Sequence, residues 1–273
     1  MKAKIAAPGF ILMNEMEKDF RGTVRRIAEM GYDGLELMGF YEQDAKATME
    51  VLKEFHLEPF GCFVLAPVLL GEMPASTRPV GSAMENIQGN CLEERLDYIR
   101  SIGCTYMTVA TNETLQEAEA VRYCRELAGP ALGHGLKLQF HNHNWEYERV
   151  TDGNEISCRM DRMLQEIPET VLFEPDLGWM SIAGADPAAE LKRYASRIEV
   201  VHMKDYYRES ADHFSFLPTG YGQMNWPKLL QICEERIHPS WYVMDHDKSY
   251  RLGIFEELEL SLLYFRKLLE LYK

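Results

Sequence analysis

Short apolar and β-branched runs alternate along this chain with longer stretches of helical period. The first apolar run covers 4–12, a helical stretch follows over 16–30, and a second strand-like run covers 32–37. The rhythm continues with a helix over 41–55, a strand over 57–65, a helix over 84–101 and a strand over 105–110. The second half gives a helix over 114–132, a strand over 136–141, a helix over 153–166 and a strand over 171–176. A shorter helix over 187–196, a strand over 198–203, a helix over 226–235, a strand over 241–244 and a helix over 255–271 complete the series. Eight strand–helix pairs without a Gly/Ser-rich linker, low-complexity tract or strong repeat between them predict a parallel sheet closed on itself. The expected fold is of the α/β class, a single-domain (β/α)8 TIM barrel over 1–273. Two stretches exceed plain connections, 67–83 and 205–225. In a barrel both fall at the C-terminal mouth, where long loops form a pocket or a lid.

Composition narrows the function more than the fold. With 46% apolar and 26% charged residues, the chain can bury a substantial core in the manner of a soluble globular protein. A net charge of -14 repels a phosphate backbone, so nucleic acid is disfavoured as a partner. Cys62, Cys91, Cys104, Cys124, Cys158 and Cys233 are scattered, without CxxC spacing, and read as reduced core thiols. The first residues carry lysines but no apolar signal core, and no run approaches the roughly 20 apolar residues that cross a bilayer. The expectation is a cytoplasmic protein with no membrane partner.

Strands of such a barrel are apolar on both faces, so polar residues near their C-terminal ends call for a reason. In the fifth strand Leu136, Leu138 and Phe140 share one parity, which turns Gln139, His141 and His143 toward the barrel axis. The sixth places Glu174 and Asp176 on one face, the seventh His202 and Lys204, the eighth Asp245 and Asp247, and the second adds Glu36. Asp176, His202 and Asp245, with His141 or His143 as a fourth donor, form a divalent-metal set. The mixed N/O donors suit one ion of Mn²⁺, Zn²⁺ or Fe²⁺, with Mn²⁺ or Zn²⁺ expected. Any one of these groups alone reads equally well as a structural hydrogen-bonding residue; four strands contributing at one depth favour the metal.

Other signals are weaker. His141-Asn142-His143 has the letters of an HNH nuclease, but inside a strand of an acidic protein that reading is rejected. Gly220-Tyr221-Gly222 could offer N–H groups to a phosphate, yet a lone GxG is more often a turn. His56, His134, His213 and His238 lack partners at metal spacing and read as surface or packing residues. Trp226 reads as core, whereas Trp145, Glu146 and Trp179 follow the expected ligands closely enough to bind substrate, the aromatic rings stacking on a sugar face.

Taken together, GYDGLEL from Gly31, HNHNWEY from His141, DLGW from Asp176, VHMKD from Val201 and GYGQMNW from Gly220 resemble the xylose isomerase-like TIM barrel family. The similar branch is that of sugar phosphate isomerases/epimerases, related to inosose dehydratases and ketose epimerases. The resemblance covers essentially the whole chain. It implies a metal held by His141 or His143, Asp176, His202 and Asp245, with Lys204 and Glu36 as pocket residues. It departs where ketose epimerases carry glutamates on strands five and eight, and Trp179 stands where those enzymes have histidine, so a two-glutamate proton shuttle does not transfer.

The expected chemistry is proton abstraction α to the carbonyl of a keto- or oxo-sugar or inosose, with His141, His143, Lys204 and Glu36 as acid/base residues. Isomerisation, epimerisation and β-elimination share that step. The competing readings are a repair endonuclease, against which the acidic balance counts, and a non-catalytic sugar-binding homologue. The partner is then a small carbohydrate without an evident phosphate-binding Arg/Lys cluster. Self-association is common in the family, so a homo-oligomer stays open.

Overall fold

The computed structural model describes residues 3–41, 44–72, 87–110, 117–152, 155–210, 213–249 and 251–272, with the backbone alone at 150–152 and 155–157. Strand β1 (Lys4–Pro8) is shorter than the apolar run that announced it. After Pro8 the chain turns, with the Leu12 and Met13 N–H groups donating to the Gly9 and Phe10 carbonyls at 3.2 and 3.3 Å. The expected helix over 16–30 is two helices, α1 (Met13–Lys18) and α2 (Phe20–Met30). Asp19 separates them because its carboxylate accepts the Gly22 N–H at 2.8 Å and caps the second.

There follow β2 (Gly34–Leu37), α3 (Ala45–Glu54), β3 (Glu58–Phe63), the one-turn α4 (Ala66–Leu69), α5 (Leu92–Ile102), β4 (Tyr106–Ala110), α6 (Glu117–Gly133) and β5 (Lys137–His141). The long connection expected over 67–83 and the first residues of the helices expected from 84 and 114 fall largely outside the described residues. The helix expected over 153–166 is corrected. Strands β6 (Arg149–Asp152) and β7 (Glu155–Cys158) form an antiparallel hairpin pairing Asp152 with Glu155, and α7 (Arg159–Glu166) begins only after it. Asp152-Gly153 between two short alternating runs is a hairpin signal that outweighs the helical period.

The chain then runs through β8 (Leu172–Glu174), α8 (Leu177–Ile182), α9 (Pro187–Arg193), β9 (Val200–His202), β10 (Asp205–Ser210), β11 (His213–Leu217), α10 (Trp226–Ile232), β12 (Trp241–Val243) and α11 (Ile254–Glu270). The stretch expected as one long loop over 205–225 thus contains a second hairpin, β10 with β11.

Eight strands pair in parallel in the order β8-β5-β4-β3-β2-β1-β12-β9. The seam between the two end strands is spanned by a bridge pairing Asp176 with His202, and the His202 N–H donates to the Pro175 carbonyl at 2.9 Å. The result is a nearly closed TIM-like barrel. Outward-facing residues such as Leu35, Leu138, Phe140, Phe173, Val201 and Tyr242 pack under the helices. Inside, Ala6, Phe60, Tyr106, Val200, Trp241 and Val243 form a separate apolar plug. Phe60 stacks on Trp241 with centroids 4.4 Å apart. Gly34 makes room for that stack, since a Cβ there would stand 2.6 Å from the Trp241 ring. With the lower interior filled, inward-facing polar groups are left to the C-terminal end, which is where the site lies.

Four of the cysteines are buried and free as expected, but Cys91 is exposed and Cys158 only half-buried. Among the described residues no helix is long and apolar enough to cross a membrane.

Candidate active site

Parity along each strand delivers polar side chains to one level above the plug. Glu36 comes from β2, His141 from β5, Glu174 and Asp176 from the end of β8, His202 and Lys204 from the end of β9, and Asp245 from the residues after β12. All are buried. They converge on His202. Its Nδ1 lies 3.0 Å from Asp245 Oδ2, while its Nε2 lies 2.9 Å from Glu36 Oε2 and 3.6 Å from Glu174 Oε2. The His141 ring stands 4.6 Å from the His202 ring, with its Nδ1 3.1 Å from Glu174 Oε2 and its Nε2 3.8 Å from Asp176 Oδ2. Gln139 donates to Glu174 and to the Thr108 hydroxyl, holding the glutamate from below.

Lys204 closes the other side. Its ammonium is 2.8 Å from Asp176 Oδ2, 3.0 Å from Asp245 Oδ2 and 2.6 Å from Asp247 Oδ1, and it lies over the Trp179 and Phe216 rings at 5.2 and 5.4 Å. Gly178 allows this approach: a Cβ there would meet the Lys204 carbonyl at 2.6 Å and its Cβ at 2.8 Å.

Burial and neighbouring charge set the protonation states. Burial pushes Glu174 up to about 8, helped by the adjacent Glu36, and pushes Asp176 up to about 6 against the pull of Lys204. For Asp245 burial acts upward too, but Lys204 and His202 overcome it and hold the group far below the carboxylate range. Burial opposes charge on His202 and on Lys204, yet the surrounding carboxylates win and raise both. His141 is held well below the ordinary imidazole value, and His143 at about 3, in both cases by burial first.

The donor set fits a divalent ion. The ligand atoms of His141, Asp176 and His202 lie within 4.8 Å of one another, as do those of Glu36, Glu174 and His202. Glu36 Oε1 and Asp245 Oδ1 are buried without a hydrogen bond, while Asp176 Oδ2 is met by the Lys204 ammonium and His202 Nε2 by the Glu36 carboxylate. Orphaned buried carboxylate atoms are costly unless something else meets them, and mixed N/O donors suit such a cation.

Of the residues singled out in the sequence, Glu36, His141, His143, His202, Lys204 and Asp245 line one cavity of about 220 Å³, with Asp176 fully buried beside it. His141 rather than His143 joins the metal-competent groups found among the described residues. His143 stacks on Trp145 at 4.5 Å, and Trp179 meets it edge-on at 5.9 Å, so both tryptophans back the cavity wall. Glu146 is buried and accepts the His143 backbone N–H at 2.8 Å, supporting the turn that carries the imidazole. The apolar part of the cavity lining includes Phe10, Met38, Phe63, Val64 and Leu65.

Three further placements bear on the site. The Gly220 and Gly222 N–H groups donate to the buried Asp205 carboxylate, so that loop holds the protein's own anion and the turn reading of the GxG is correct. His56 and His238 occupy left-handed backbone at helix ends. His246, which the sequence did not bring forward, is fully buried with its Nε2 3.0 Å from Glu257 on α11.

Comparison with known proteins agrees with this architecture. A model of the family described as "Xylose isomerase-like TIM barrel" matches residues 24–260. An inosose dehydratase of Mesomycoplasma hyopneumoniae is 22% identical over 266 residues, covering 85% of this chain and 82% of that protein. The inosose dehydratase of Lacticaseibacillus casei is 22% identical over 273 residues, covering 87% and 86%. A sugar phosphate isomerase/epimerase from Parabacteroides distasonis superimposes with a TM-score of 0.75 at 18% identity, covering 97% of this chain and 98% of that one. The 3-keto-D-glucoside 4-epimerase of E. coli superimposes with a TM-score of 0.67 at 16% identity, covering 97% and 100%. With the family model spanning most of the barrel, the chain belongs to the xylose isomerase-like TIM barrel family.

Proposed function

We propose that this protein is a metal-dependent isomerase or epimerase that removes a proton α to the carbonyl of a keto- or oxo-sugar or an inosose. The observation that carries the reading is the convergence of His141, Asp176 and His202 beside an open cavity, in a cluster that leaves Glu36 Oε1 and Asp245 Oδ1 buried without a hydrogen bond. A divalent ion, Mn²⁺ or Zn²⁺ by the donor chemistry, would be held by those three side chains and would stabilise negative charge developing on the substrate oxygens. His143 lines the cavity with a buried, unpartnered Nδ1, which places that nitrogen to receive the proton. Lys204 stays an ammonium under its three carboxylates and donates a hydrogen bond to a substrate oxygen. Glu36 is the second acid/base group. The apolar wall of Phe10, Met38 and Phe63 receives the C–H face of the sugar, and Trp145 and Trp179 fix His143 and Lys204 from behind.

A dehydratase reading has its own support, since the relatives from M. hyopneumoniae and L. casei are inosose dehydratases. β-Elimination begins with the same proton removal and differs in the bond that breaks next. One experiment addresses both: elemental analysis of the purified protein, then solvent-deuterium exchange against keto-sugars, inososes and 3-oxo-glycosides. The expected result is stoichiometric metal and deuterium entering one substrate class, with loss of water from the product marking a dehydratase. Full metal content and full exchange in both Asp176→Ala and His202→Ala proteins would overturn the assignment.

A further inference from the structure

Around the barrel, the residues that line the cavity are sorted by chemistry. Four neighbouring strands, β1 to β4, supply Pro8, Phe10, Met38, Phe63, Leu65 and Ala110 at or just beyond their C-terminal ends, and Glu36 is the one polar side chain they add. Across the ring, β5, β9 and β12 and the residues that follow them supply His141, His143, His202, Lys204, Asp245 and Asp247. Register agrees with this sorting at the two edges of the apolar arc. Pro8 pairs with Glu36 and Ala110 pairs with His141, and partners in register on neighbouring strands face the same way.

The apolar arc runs from the centre out to solvent. Phe63 stands edge-on to the His141 and His202 rings, with centroids 5.1 and 6.2 Å away, whereas Phe10 at the other end is 43% exposed. Met38, Leu65 and Ala110 are only half-buried, so each leaves apolar surface open. A hexose carries hydroxyl groups along the edges of its ring. A hydroxyl laid against this arc would give up water and gain no side-chain partner, at about the cost of a lost hydrogen bond. The C–H face of a sugar covers the part of the arc nearest Phe63 and Met38. Leu65, Ala110 and the outer side of Phe10 remain, and apolar surface of that kind is matched by an apolar group joined to the sugar and extending through the mouth. We infer that the substrate is an oxo-glycoside with an apolar, ring-sized aglycone, its sugar among the polar groups of β5, β9 and β12 and its aglycone against Phe10, Leu65 and Ala110. A free keto-sugar or an inosose would fill the polar side alone. This inference rests on the proposed sugar chemistry and narrows its substrate.

The probes are phenyl and methyl 3-oxo-D-glucopyranosides, both anomers of each, together with free 3-oxo-D-glucose and an inosose. Solvent-deuterium exchange on the Mn²⁺-loaded protein gives kcat/KM for each, and calorimetry compares binding of the unoxidised phenyl and methyl D-glucosides. In one anomeric series the phenyl compound should exceed the methyl compound and the free sugars by at least about 10-fold in kcat/KM, the scale of a small apolar group in a fitted pocket. Phe10→Ser and Leu65→Ser should each cut that preference about 5-fold or more as apolar contact is lost. Phe10 stands outside the apolar core, so its variant keeps the barrel, and the wild-type comparison stands without either variant. Equal or lower kcat/KM for the phenyl compounds, or a preference that neither variant lowers, would overturn the inference. Exchange with the free sugars and with no glycoside would also overturn it while leaving proton removal intact. Exchange with none of the probes would instead remove the proton-removal reading. The aglycone seat is then read from binding: phenyl glucoside held at least about 10-fold more tightly than methyl glucoside supports it, and equal or undetectable binding refutes it.

Discussion

Asp245 Oδ2 stands 3.0 Å from His202 Nδ1, and that hydrogen bond fixes which edge of the imidazole faces the barrel axis. With Nδ1 engaged, Nε2 is aimed toward Glu36 and Glu174. A carboxylate behind a ligating histidine also raises the ring's basicity toward the ion. Asp245→Asn keeps the shape and gives up the charge. Mn²⁺ affinity should fall roughly 10- to 100-fold, as it does when such outer partners are lost elsewhere. Isothermal titration measures this directly, and unchanged affinity would mean that Asp245 neither orients His202 nor contacts the ion.

Lys204 is the counterion of Asp176, Asp245 and Asp247 and is itself buried. Lys204→Met would leave three carboxylates facing one another out of water. Breaking a buried pair in this way costs about 3–5 kcal/mol. The sign of the pH dependence follows: without the ammonium the folded-state carboxylate pKa values rise above their unfolded values, so ionisation opposes folding at neutral and alkaline pH. The deficit relative to wild type should be largest near pH 8 and shrink toward pH 5 as protons return. Thermal melts of the metal-free proteins at the two pH values decide it; a deficit that is flat with pH would point to lost packing instead of lost charge.

The residues of the centre were legible because a strand alternates faces with a period of two, so polar Gln139 and His141 between apolar Leu138 and Phe140 announce an inward polar edge. Depth was not legible. Glu174 and Asp176 share a face, with Asp176 nearer the C-terminal end, but the layer each shares with Glu36 and His202 is set by the shear of neighbouring strands, which spacing along one strand does not encode. The ion-pair hub of Lys204 joins segments that follow three different strands and is likewise a property of closure. His246 has the opposite parity to Asp245 and Asp247 and so reads as an ordinary outward core position; its partner Glu257 lies on the next helix. The hairpin of Arg149–Asp152 with Glu155–Cys158 is announced by the Asp152-Gly153 pair alone, because the alternation of four-residue strands is faint beside the helical period of residues 159–166.

Glu146 couples the His143 turn to pH. Burial lifts its carboxyl from 4.5 to about 7, against the His143 backbone N–H that it accepts. An acid with a raised folded-state pKa destabilises the fold as pH climbs from the unfolded value to the folded one, and the penalty then stays constant. Glu146→Gln keeps an acceptor for the His143 N–H and removes the ionisation. The variant should match wild type near pH 4 and exceed its stability above pH 7 by as much as about 3 kcal/mol, taking 1.36 kcal/mol per pKa unit. Urea unfolding at pH 4, 6 and 8 reads the divergence. Parallel curves across that range would show that the carboxyl ionises in the fold as freely as in the unfolded chain.

Asp205 is the anchor of the mouth loop. Its fully buried carboxylate accepts N–H groups from Tyr206, Gly220, Gly222 and Met224, and the Trp226 indole N–H at 2.8 Å. Charge-assisted bonds of this kind are the stronger class, and removing their acceptor leaves several buried donors unmet at about 1–3 kcal/mol each. Water reaching the loop would relieve part of that, so Asp205→Ala should melt the loop before it unfolds the barrel. The expected signature is rapid protease cleavage within 205–225, a changed Trp226 emission and a stability loss of at least about 3 kcal/mol. Because the adjoining hairpin lays Phe216 against the Lys204 ammonium, substrate turnover should fall together with loop order. A protease-resistant Asp205→Ala protein within about 0.5 kcal/mol of wild type, the range of an ordinary surface change, would show that the loop is held by its packing and not by this one anion.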